Sequence, residues 1–404
     1  MTMKSPKSIL MVLPVMHGGG AERVAALLVN EFHRRGYFCE FLLTNDAPDT
    51  VVKNDLSSDI PLLFLNDFIK HESFAQKILY AFLKLYSSFF CRIFEYFKFP
   101  VPAHFAYSSF IAQYHRQIST LRSFLNARPN ASVITFLQPS IPMVMLASQE
   151  LPNKIIFSER GDPRRLMQSR YGRSFVEKYY TRAEVAVFQT KFAMESYPSN
   201  IASKGFVIVN PIKENLPKPF VGARKKVINT FCRISKQKNL PLLLEAFKNV
   251  HNRYPEYKLH IIGDALNTEG ANVMVQLRQF VSDNDLTDAV IFLPFSSNVH
   301  KEVLEDAMYV NSSDYEGISN AMLEAMAIGL PVICTDCPIG GARQTIIDHE
   351  NGLLVPVNDY LALSRAMEEI ISSQNLALKL SQNAIAIRNY LQIQNVANQW
   401  IKIV

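Results

Sequence analysis

The sequence lacks any uninterrupted apolar run of the roughly 18 residues that a membrane-spanning helix needs. The apolar run at residues 9–15, behind Lys4 and Lys7, is short and contains Pro14, which favours a first buried strand over a signal peptide. The cysteines are odd in number and scattered, which argues against a disulfide framework and for a reducing compartment. They are Cys39, Cys91, Cys232, Cys334 and Cys337. We therefore expect a cytoplasmic protein that is at most attached to a membrane surface.

Motifs of several other function classes are absent as well. Gly18, Gly19 and Gly20 are contiguous, so the chain has neither the GxGxxG turn of a nicotinamide-binding domain nor a Walker loop. There is no Asp-x-Asp and no His/Cys cluster with metal-ligand spacing, and the CxxC at Cys334 and Cys337 has no second pair, so structural cysteines are expected. The net charge of +6 is mild and the basic residues are spread along the chain, which argues against nucleic acid as a partner.

What the chain does have is the size and wiring of two α/β domains. Its 404 residues are 48% apolar, enough for two cores. A strand at residues 8–14, a helix at 21–35 and a strand at 37–43 make a βαβ unit, and a second alternation of strands and helices begins at residue 227. We predict a first Rossmann-like domain at residues 1–210, a linker at 211–226, a second Rossmann-like domain at 227–385 and a C-terminal helix at 386–404. Two such doubly wound domains facing each other would hold a ligand at the carboxyl ends of their strands.

One segment interrupts the alternation. Residues 74–98 have a helical period with a wide aromatic and aliphatic face and a basic opposite face, and Pro100 and Pro102 end the segment. Such a helix suits the surface of an anionic bilayer. The sequence leaves open the alternative, a surface helix packed on its own domain.

A helix start is the clearest local signal of a site. Ser319 and Asn320 are good N-cap residues before strong helix formers, and Gly329 and Pro331 end the helix. The free N–H groups and the positive end of such a helix favour a diphosphate, and Gly317 would allow close approach. Carboxylates on either side, Glu316 and Glu324, suit hydroxyl groups that flank the phosphates, as in a nucleotide sugar. A solvated acidic pair is the alternative.

Two further loops could contact the same kind of ligand. The glycines at 18–20 follow the first strand, where they would let a phosphate or sugar approach the backbone. Arg233 and Lys238 follow the first strand of the second domain and could straddle a diphosphate. Each signal is weak alone, since a tight turn or solvated charges would give the same pattern.

Taken together in this order, the pieces resemble the retaining glycosyltransferases of family four, which have the GT-B fold. The resemblance is dense over residues 227–370. Within the family, the chain resembles the subset that builds bacterial capsule, exopolysaccharide and O-antigen chains. The matching elements are Gly18-Gly-Gly-Ala-Glu-Arg-Val24, Ser158-Glu-Arg-Gly-Asp-Pro-Arg164, Arg233 with Lys238, Ile261-Ile-Gly-Asp264, the Glu-x7-Glu of Glu316 and Glu324, Thr335-Asp-Cys-Pro-Ile-Gly-Gly341 and Asn351-Gly-Leu-Leu-Val-Pro356.

The resemblance implies a hexosyltransferase that uses a nucleotide sugar, with UDP favoured, and needs no metal or other cofactor. By that analogy Arg233 and Lys238 stabilise the departing diphosphate, Glu316 binds the donor sugar and Glu324 the ribose. The remaining donor-binding residues would be Gly19, Gly20, Asp264, Gly317, Ile318, Ser319 and Asn320. The acceptor, a lipid-linked or oligosaccharide chain, would meet His17, Glu159, Arg160 and Asp162. We also expect C-terminal helices that cross back to the first domain. The basic and aromatic helix at residues 74–98 predicts work at the cytosolic face of the inner membrane, with an anionic membrane surface as a further partner.

Departures from the family pattern leave base and donor preference open: Cys232 stands where Gly is usual, as does Ala265, and Gln344 replaces a frequent Glu. A nucleotide-sugar epimerase of the same fold is the alternative function. It would need no acceptor and would release no free nucleotide as its main product. A salt-bridged structural turn is the alternative for residues 159–162.

Overall fold

The structure is a computed structural model that describes residues 7–16, 19–45, 55–69, 74–168 and 172–404. Its contacts divide the chain into two compact units. The first comprises Met1–Pro211 with Ile393–Val404, and the second comprises Ile212–Gln392. Each unit contains one parallel sheet flanked by helices, so the predicted α/β class with two Rossmann-like domains is confirmed.

The first unit is built on a parallel sheet that has seven strands within the described residues, in the order β3-β2-β1-β4-β5-β6-β7. The strands are β1 Ser8–Leu13, β2 Phe38–Leu43, β3 Leu62–Phe64, β4 Ala131–Phe136, β5 Ile155–Ser158, β6 Val185–Phe188 and β7 Gly205–Val207. In β1, Met11 pairs with Phe41 of β2 and with Ile134 of β4. Strands buried on both faces account for the continuous apolar runs in the sequence.

The described helices of this unit up to residue 211 are α1 Gly20–Arg34, α2 Phe74–Tyr96, α3 Ala103–Asn126, α4 Ser140–Ala147, α5 Pro163–Met167, α6 Gly172–Tyr179, α7 Lys191–Glu195 and α8 Ser199–Ala202. The predicted helix at 74–98 is present as α2. Helix α3, which the sequence pattern does not predict, follows it as the second arm of a helical hairpin. None of the described helices combines the length and the apolar composition that a membrane span requires.

The second unit contains a parallel sheet with the order β10-β9-β8-β11-β12-β13 among the described residues. Its strands are β8 Lys225–Phe231, β9 Lys258–Ile262, β10 Val290–Leu293, β11 Asp306–Asn311, β12 Val332–Thr335 and β13 Leu353–Val355. Its helices are α9 Leu240–Arg253, α10 Thr268–Asp283, α11 Val299–Glu302, α12 Asn320–Ala327, α13 Tyr360–Ser372, α14 Gln374–Ala384 and α15 Ile387–Leu391. Buried side chains of α9, such as Leu243 and Phe247, pack with Leu259 and Met308 of the sheet.

The unit boundaries differ from the predicted ones in two places. Residues 212–226, predicted as a linker, belong to the second unit, because the Ile212 N–H donates to Leu391 O at 2.9 Å and Arg224 donates to Asp306 O at 3.0 Å. The predicted C-terminal helix is divided. The short helix α15 stays with the second unit, and α16 Ile393–Ile401 belongs to the first, where Arg35 donates to Asn398 Oδ1 at 2.6 Å.

Candidate functional site

The loops that follow β8 and β11 are joined side by side because these two strands are neighbours in the sheet. The first loop contains a 3-10 helix, Lys236–Lys238. Asn239 then takes a left-handed conformation (φ 40°) and N-caps α9. Its side-chain amide donates to Asp314 Oδ1 at 2.6 Å, and the Asp314 N–H donates to Gln237 O at 3.0 Å. Lys238 and Glu316 are thereby held in fixed loops at the carboxyl end of the sheet.

Glu316 is the centre of this arrangement. Its Oε1 accepts from Lys238 Nζ and lies 3.0 Å from the Ser313 hydroxyl, and its Oε2 accepts from Gln237 Nε2 at 3.2 Å. A carboxylate has about four acceptor positions and an ammonium has three donors. Contacts among the described residues therefore leave at least one acceptor position of Glu316 and two donors of Lys238 for a ligand.

Positive charge is concentrated beside Glu316. Burial lowers the pKa of Lys238, but the charge of Glu316 and the hydrogen bond to it have the larger, opposite effect. The pKa of Lys238 is therefore raised above its ordinary value. Arg233 lies close enough for its charge to oppose protonation of Lys238. The Arg233 side chain is exposed, and none of the described residues forms a hydrogen bond or ion pair with it. The two cations predicted to straddle a diphosphate are thus brought together, with Arg233 accessible.

The helix start is formed as predicted. The Ser319 hydroxyl accepts from Met322 N at 3.3 Å at the beginning of α12. Gly317 and Ile318 are buried against the turn that contains Gly341, so closely that a Cβ on Gly341 would lie 1.6 Å from Gly317 O. Only a residue without a side chain fits there, which explains the glycine in the motif at 335–341.

Glu324 is placed differently from Glu316. It is 6% exposed and accepts a hydrogen bond of 2.7 Å from His300 Nε2, and His300 is equally buried. The imidazole of His300 also packs edge-on against Phe231, with ring centroids 5.7 Å apart. The second carboxylate of the Glu-x7-Glu pair is therefore fixed by a buried histidine on α11.

The other predicted donor-side residues differ in their accessibility to a ligand. Asp264 is exposed, and its Oδ1 accepts from Phe295 N at 3.2 Å. Gly19 N-caps α1, and its N–H donates to Glu22 Oε2 at 2.5 Å, so this donor is already used inside the first unit. Gly20 is the first residue of α1. Gly18 and His17 lie outside the described residues.

The predicted acceptor-side residues engage in contacts within the first unit. Glu159 accepts from the Arg160 and Gly161 N–H groups and, at 2.7 Å, from the Tyr197 hydroxyl. Burial and the nearby Glu159 charge raise the pKa of Tyr197 well above its usual range. Asp162 N-caps α5 and pairs with Arg164 at 2.6 Å. The structural alternative is thus formed, and the acceptor role stays a prediction.

Arg160 is the most constrained of these residues. Its guanidinium lies 4.1 Å from the centre of the Phe136 ring and donates to Asn210 Oδ1 at 2.6 Å. Burial lowers its pKa to about 9. The Nε and Nη2 groups are buried and have no hydrogen-bond acceptor among the described residues.

The CxxC cysteines lie next to the site. Among the described residues, no group of three or more His, Cys, Asp or Glu side chains comes together as a metal site. Cys337 Sγ donates to Ser313 O at 3.2 Å, and burial raises the pKa of the Cys337 thiol to about 12. This thiol therefore holds the loop that leads to Glu316.

Comparison with known sequences identifies the second unit. Residues 212–386 match the family described as Glycosyl transferases group 1. These residues are a glycosyltransferase group 1 domain. The match begins at the first residue of the second unit. It includes Glu316 and the residues that contact it, Gln237, Lys238 and Ser313.

Relatives of this chain are named as glycosyltransferases. An uncharacterized glycosyltransferase of Haemophilus influenzae is 26% identical over 54% of this chain and 58% of its own length. The N-acetylgalactosamine-N,N'-diacetylbacillosaminyl-diphospho-undecaprenol 4-alpha-N-acetylgalactosaminyltransferase of Campylobacter jejuni is 24% identical over 55% of this chain and 62% of its own length. The chain thus spans less than two thirds of each relative.

Solved structures agree over the whole chain. The crystal structure of Anabaena HepE in complex with UDP superposes with a TM-score of 0.75 and covers 98% of both chains, at 16% identity. Such a low identity shows a shared fold and no more.

The sequence does not predict the contact between His300 and Glu324. For His300 the sequence predicts only a place in a helix, because no spacing rule links it to Glu324, which is 24 residues away. Glu22 was missed although a signal was available: it stands at the third helical position after Gly19, as in a capping box.

Proposed function

We propose that the protein is a retaining, metal-independent glycosyltransferase that moves a sugar from a nucleotide sugar, with UDP favoured, to a hydroxyl of a lipid-linked glycan. The proposal rests chiefly on one observation, the contact of Lys238 with Glu316 beside the start of α12. A cation for a diphosphate and a carboxylate for a sugar hydroxyl lie next to each other there.

Departure of the nucleoside diphosphate creates negative charge, and preorganised positive groups lower the cost of that step. The two unused donors of Lys238, the accessible guanidinium of Arg233 and the positive end of the α12 dipole would all favour the leaving diphosphate. These groups supply the positive charge that a metal ion would otherwise bring, which is why we propose transfer without one.

The carboxylates would divide the remaining contacts. Glu316 retains an acceptor position for a hydroxyl of the transferred sugar. Glu324, held by His300 inside α12, would accept from the ribose. Retention at the anomeric carbon is proposed from the resemblance of the Glu-x7-Glu arrangement alone.

The donor and acceptor are proposed from relatives. UDP is present in the HepE structure, which has the same fold. The name of the Campylobacter relative describes transfer to a diphospho-undecaprenol sugar, a lipid-linked acceptor. We place the reaction in the synthesis of surface polysaccharide at the cytosolic face of the membrane, with the acceptor bound by the first unit near Glu159, Arg160 and Asp162. Both the Haemophilus and the Campylobacter relatives are named transferases, which favours transfer over epimerisation.

A donor screen followed by single substitutions tests the proposal. Nucleotide sugars that bind the folded protein raise its melting temperature, and a UDP-sugar should give the largest shift. With that donor and a lipid-linked acceptor, transfer should continue in excess EDTA. Glu316→Ala and Lys238→Ala should each abolish transfer without unfolding the protein, whereas Lys236→Ala, an exposed lysine on the same 3-10 helix, should leave it intact.

The same assay separates the alternatives. Nuclear magnetic resonance of the product should show the anomeric configuration of the donor. Conversion of the donor without an acceptor and without release of nucleotide would instead indicate an epimerase. Full transfer by either the Glu316 or the Lys238 variant would refute the site assignment.

A further inference from the structure

Helix α2 carries a continuous apolar face that the described residues of the chain leave exposed. Seven large apolar or aromatic side chains fall within a sector of about 100° at 3.6 residues per turn. Their exposed fractions range from 36% to 82%. This exposed stripe consists of Phe74, Ile78, Phe82, Leu85, Phe89, Ile93 and Tyr96.

The stripe is not the face by which α2 joins the first unit. That contact is made by side chains outside the stripe, where Tyr80 stacks on His115 of α3 at 3.6 Å and Phe90 stacks on Phe105 at 4.8 Å. Cys91, also outside the stripe, is fully buried. The two alternatives left open by the sequence therefore apply to different faces of one helix: one side packs on its own domain, and within the described residues the other is exposed.

The charge around the stripe is strongly one-sided. Residues 74–126, which contain both arms of the hairpin, have six Lys or Arg and one acidic residue, Glu95. They account for nearly all of the net charge of +6 of the chain. Those on and just after α2, namely Lys77, Lys84, Arg92 and Lys98, are all exposed.

This combination selects the partner. A second copy of the chain would bring two positively charged hairpins together, and such like-charge contacts are unfavourable. An anionic bilayer instead provides apolar chains for the stripe and negative headgroups for the lysines, which is how amphipathic basic helices bind an interface. Phe and Tyr side chains also suit the region between headgroups and acyl chains.

We propose that α2 is a membrane-docking helix whose exposed stripe inserts into the surface of a bilayer rich in anionic phospholipid. This inference extends the proposed function, since it would hold the active unit beside a lipid-linked acceptor. It names the element and the lipid chemistry, which the function alone does not.

Vesicle flotation of the full-length protein tests the proposal. Vesicles of phosphatidylcholine with phosphatidylglycerol should carry the protein to the top of the gradient at low salt, and vesicles of phosphatidylcholine alone should carry it at least tenfold less. Two triple variants should each lower the bound fraction at least tenfold. They are Phe82→Ser with Leu85→Ser and Phe89→Ser, and Lys77→Glu with Lys84→Glu and Lys98→Glu.

Matched controls come from exposed residues outside the hairpin. Val221→Ser with Leu361→Ser and Leu378→Ser removes as many exposed apolar side chains, and Lys7→Glu with Lys258→Glu and Lys402→Glu reverses as many charges. Both control variants should float like the parent. Equal loss in the controls, equal flotation with neutral vesicles or no flotation would overturn the proposal.

Two further measurements separate this inference from its alternatives. A dimer detected by sedimentation velocity, and dissociated by the Phe82, Leu85 and Phe89 substitutions, would refute the proposal by showing that the stripe joins two copies. The thermal shift with UDP should be the same in all α2 variants. Lipid binding without any UDP binding would support docking while the proposed function failed, and the reverse result would do the opposite.

Discussion

The contact between His300 and Glu324 leads to a prediction about how the donor is bound. His300→Phe keeps an aromatic ring beside Phe231 but removes the Nε2 donor that Glu324 receives at 2.7 Å. The carboxylate then loses a partner in a position that is 6% exposed. A buried carboxylate without a hydrogen-bond donor is unfavourable, so the Glu324 side chain should turn away and no longer accept well from a ribose hydroxyl.

The magnitude follows from the kind of bond that is lost. A hydrogen bond to a charged group contributes about 1.5–3 kcal/mol, and tenfold in affinity corresponds to about 1.4 kcal/mol. The dissociation constant for UDP should therefore rise roughly 10- to 150-fold in His300→Phe. In His300→Gln the side-chain amide can again donate to Glu324, so affinity should stay within about threefold of the parent.

Isothermal titration with two ligands makes this decisive. UDP is compared with the analogue that lacks both ribose hydroxyls, at a temperature at which circular dichroism shows each variant folded. In the parent the analogue should bind more weakly by the same factor, and in His300→Phe the difference between the ligands should disappear. A variant that loses equal affinity for both ligands, or none, would refute the reasoning, because a general loss of structure cannot distinguish the two.

Two other predictions concern stability. Burial raises the pKa of Asp306 to about 7, so the contribution of Asp306 to stability is full below about pH 4 and is lost as the pH rises from there through 7. In Asp306→Asn the side chain can still accept from Asn229. Urea denaturation should show a free energy of unfolding that is higher than that of the parent by up to about 4 kcal/mol at pH 8 and by little at pH 4. An equal gain at both pH values would contradict this cause. Gly341→Ala should lower the melting temperature and the UDP affinity together, because its Cβ would meet Gly317 O, whereas Gly161→Ala, with no atom nearer than 3.7 Å, should change the melting temperature little.

Some parts of the site could be predicted because their signals are local in sequence. Ser319 caps the helix that follows it, and the strands that lead into the Arg233 loop and the Glu316 loop contain short apolar stretches, at residues 227–228 and 307–310. The carboxyl ends of parallel strands meet at one edge of a sheet, so the cluster of Lys238 and Glu316 could be expected without knowing their contact.

Other parts could not be predicted, because they depend on which elements become neighbours. The imidazole of His300 reaches Glu324 only after α11 and α12 have taken their places around the sheet. The residues at 212–226 have the composition of a linker, yet Arg224 binds backbone carbonyls of the second unit. Proline and glycine content predicts where helices and strands are interrupted. It does not predict which residues the backbone of such a segment packs against.

Two parallel α/β domains, and a helix that starts at Ser319 between two carboxylates, could be predicted from the sequence, since periodicity and capping act over a few residues. The sequence also predicts that residues 74–98 form a helix with a broad apolar face. That α3 covers one side of this helix while Phe82, Leu85 and Phe89 stay exposed is known from the fold alone. The burial of a side chain depends on the element that packs against its helix, and the fold determines which element that is.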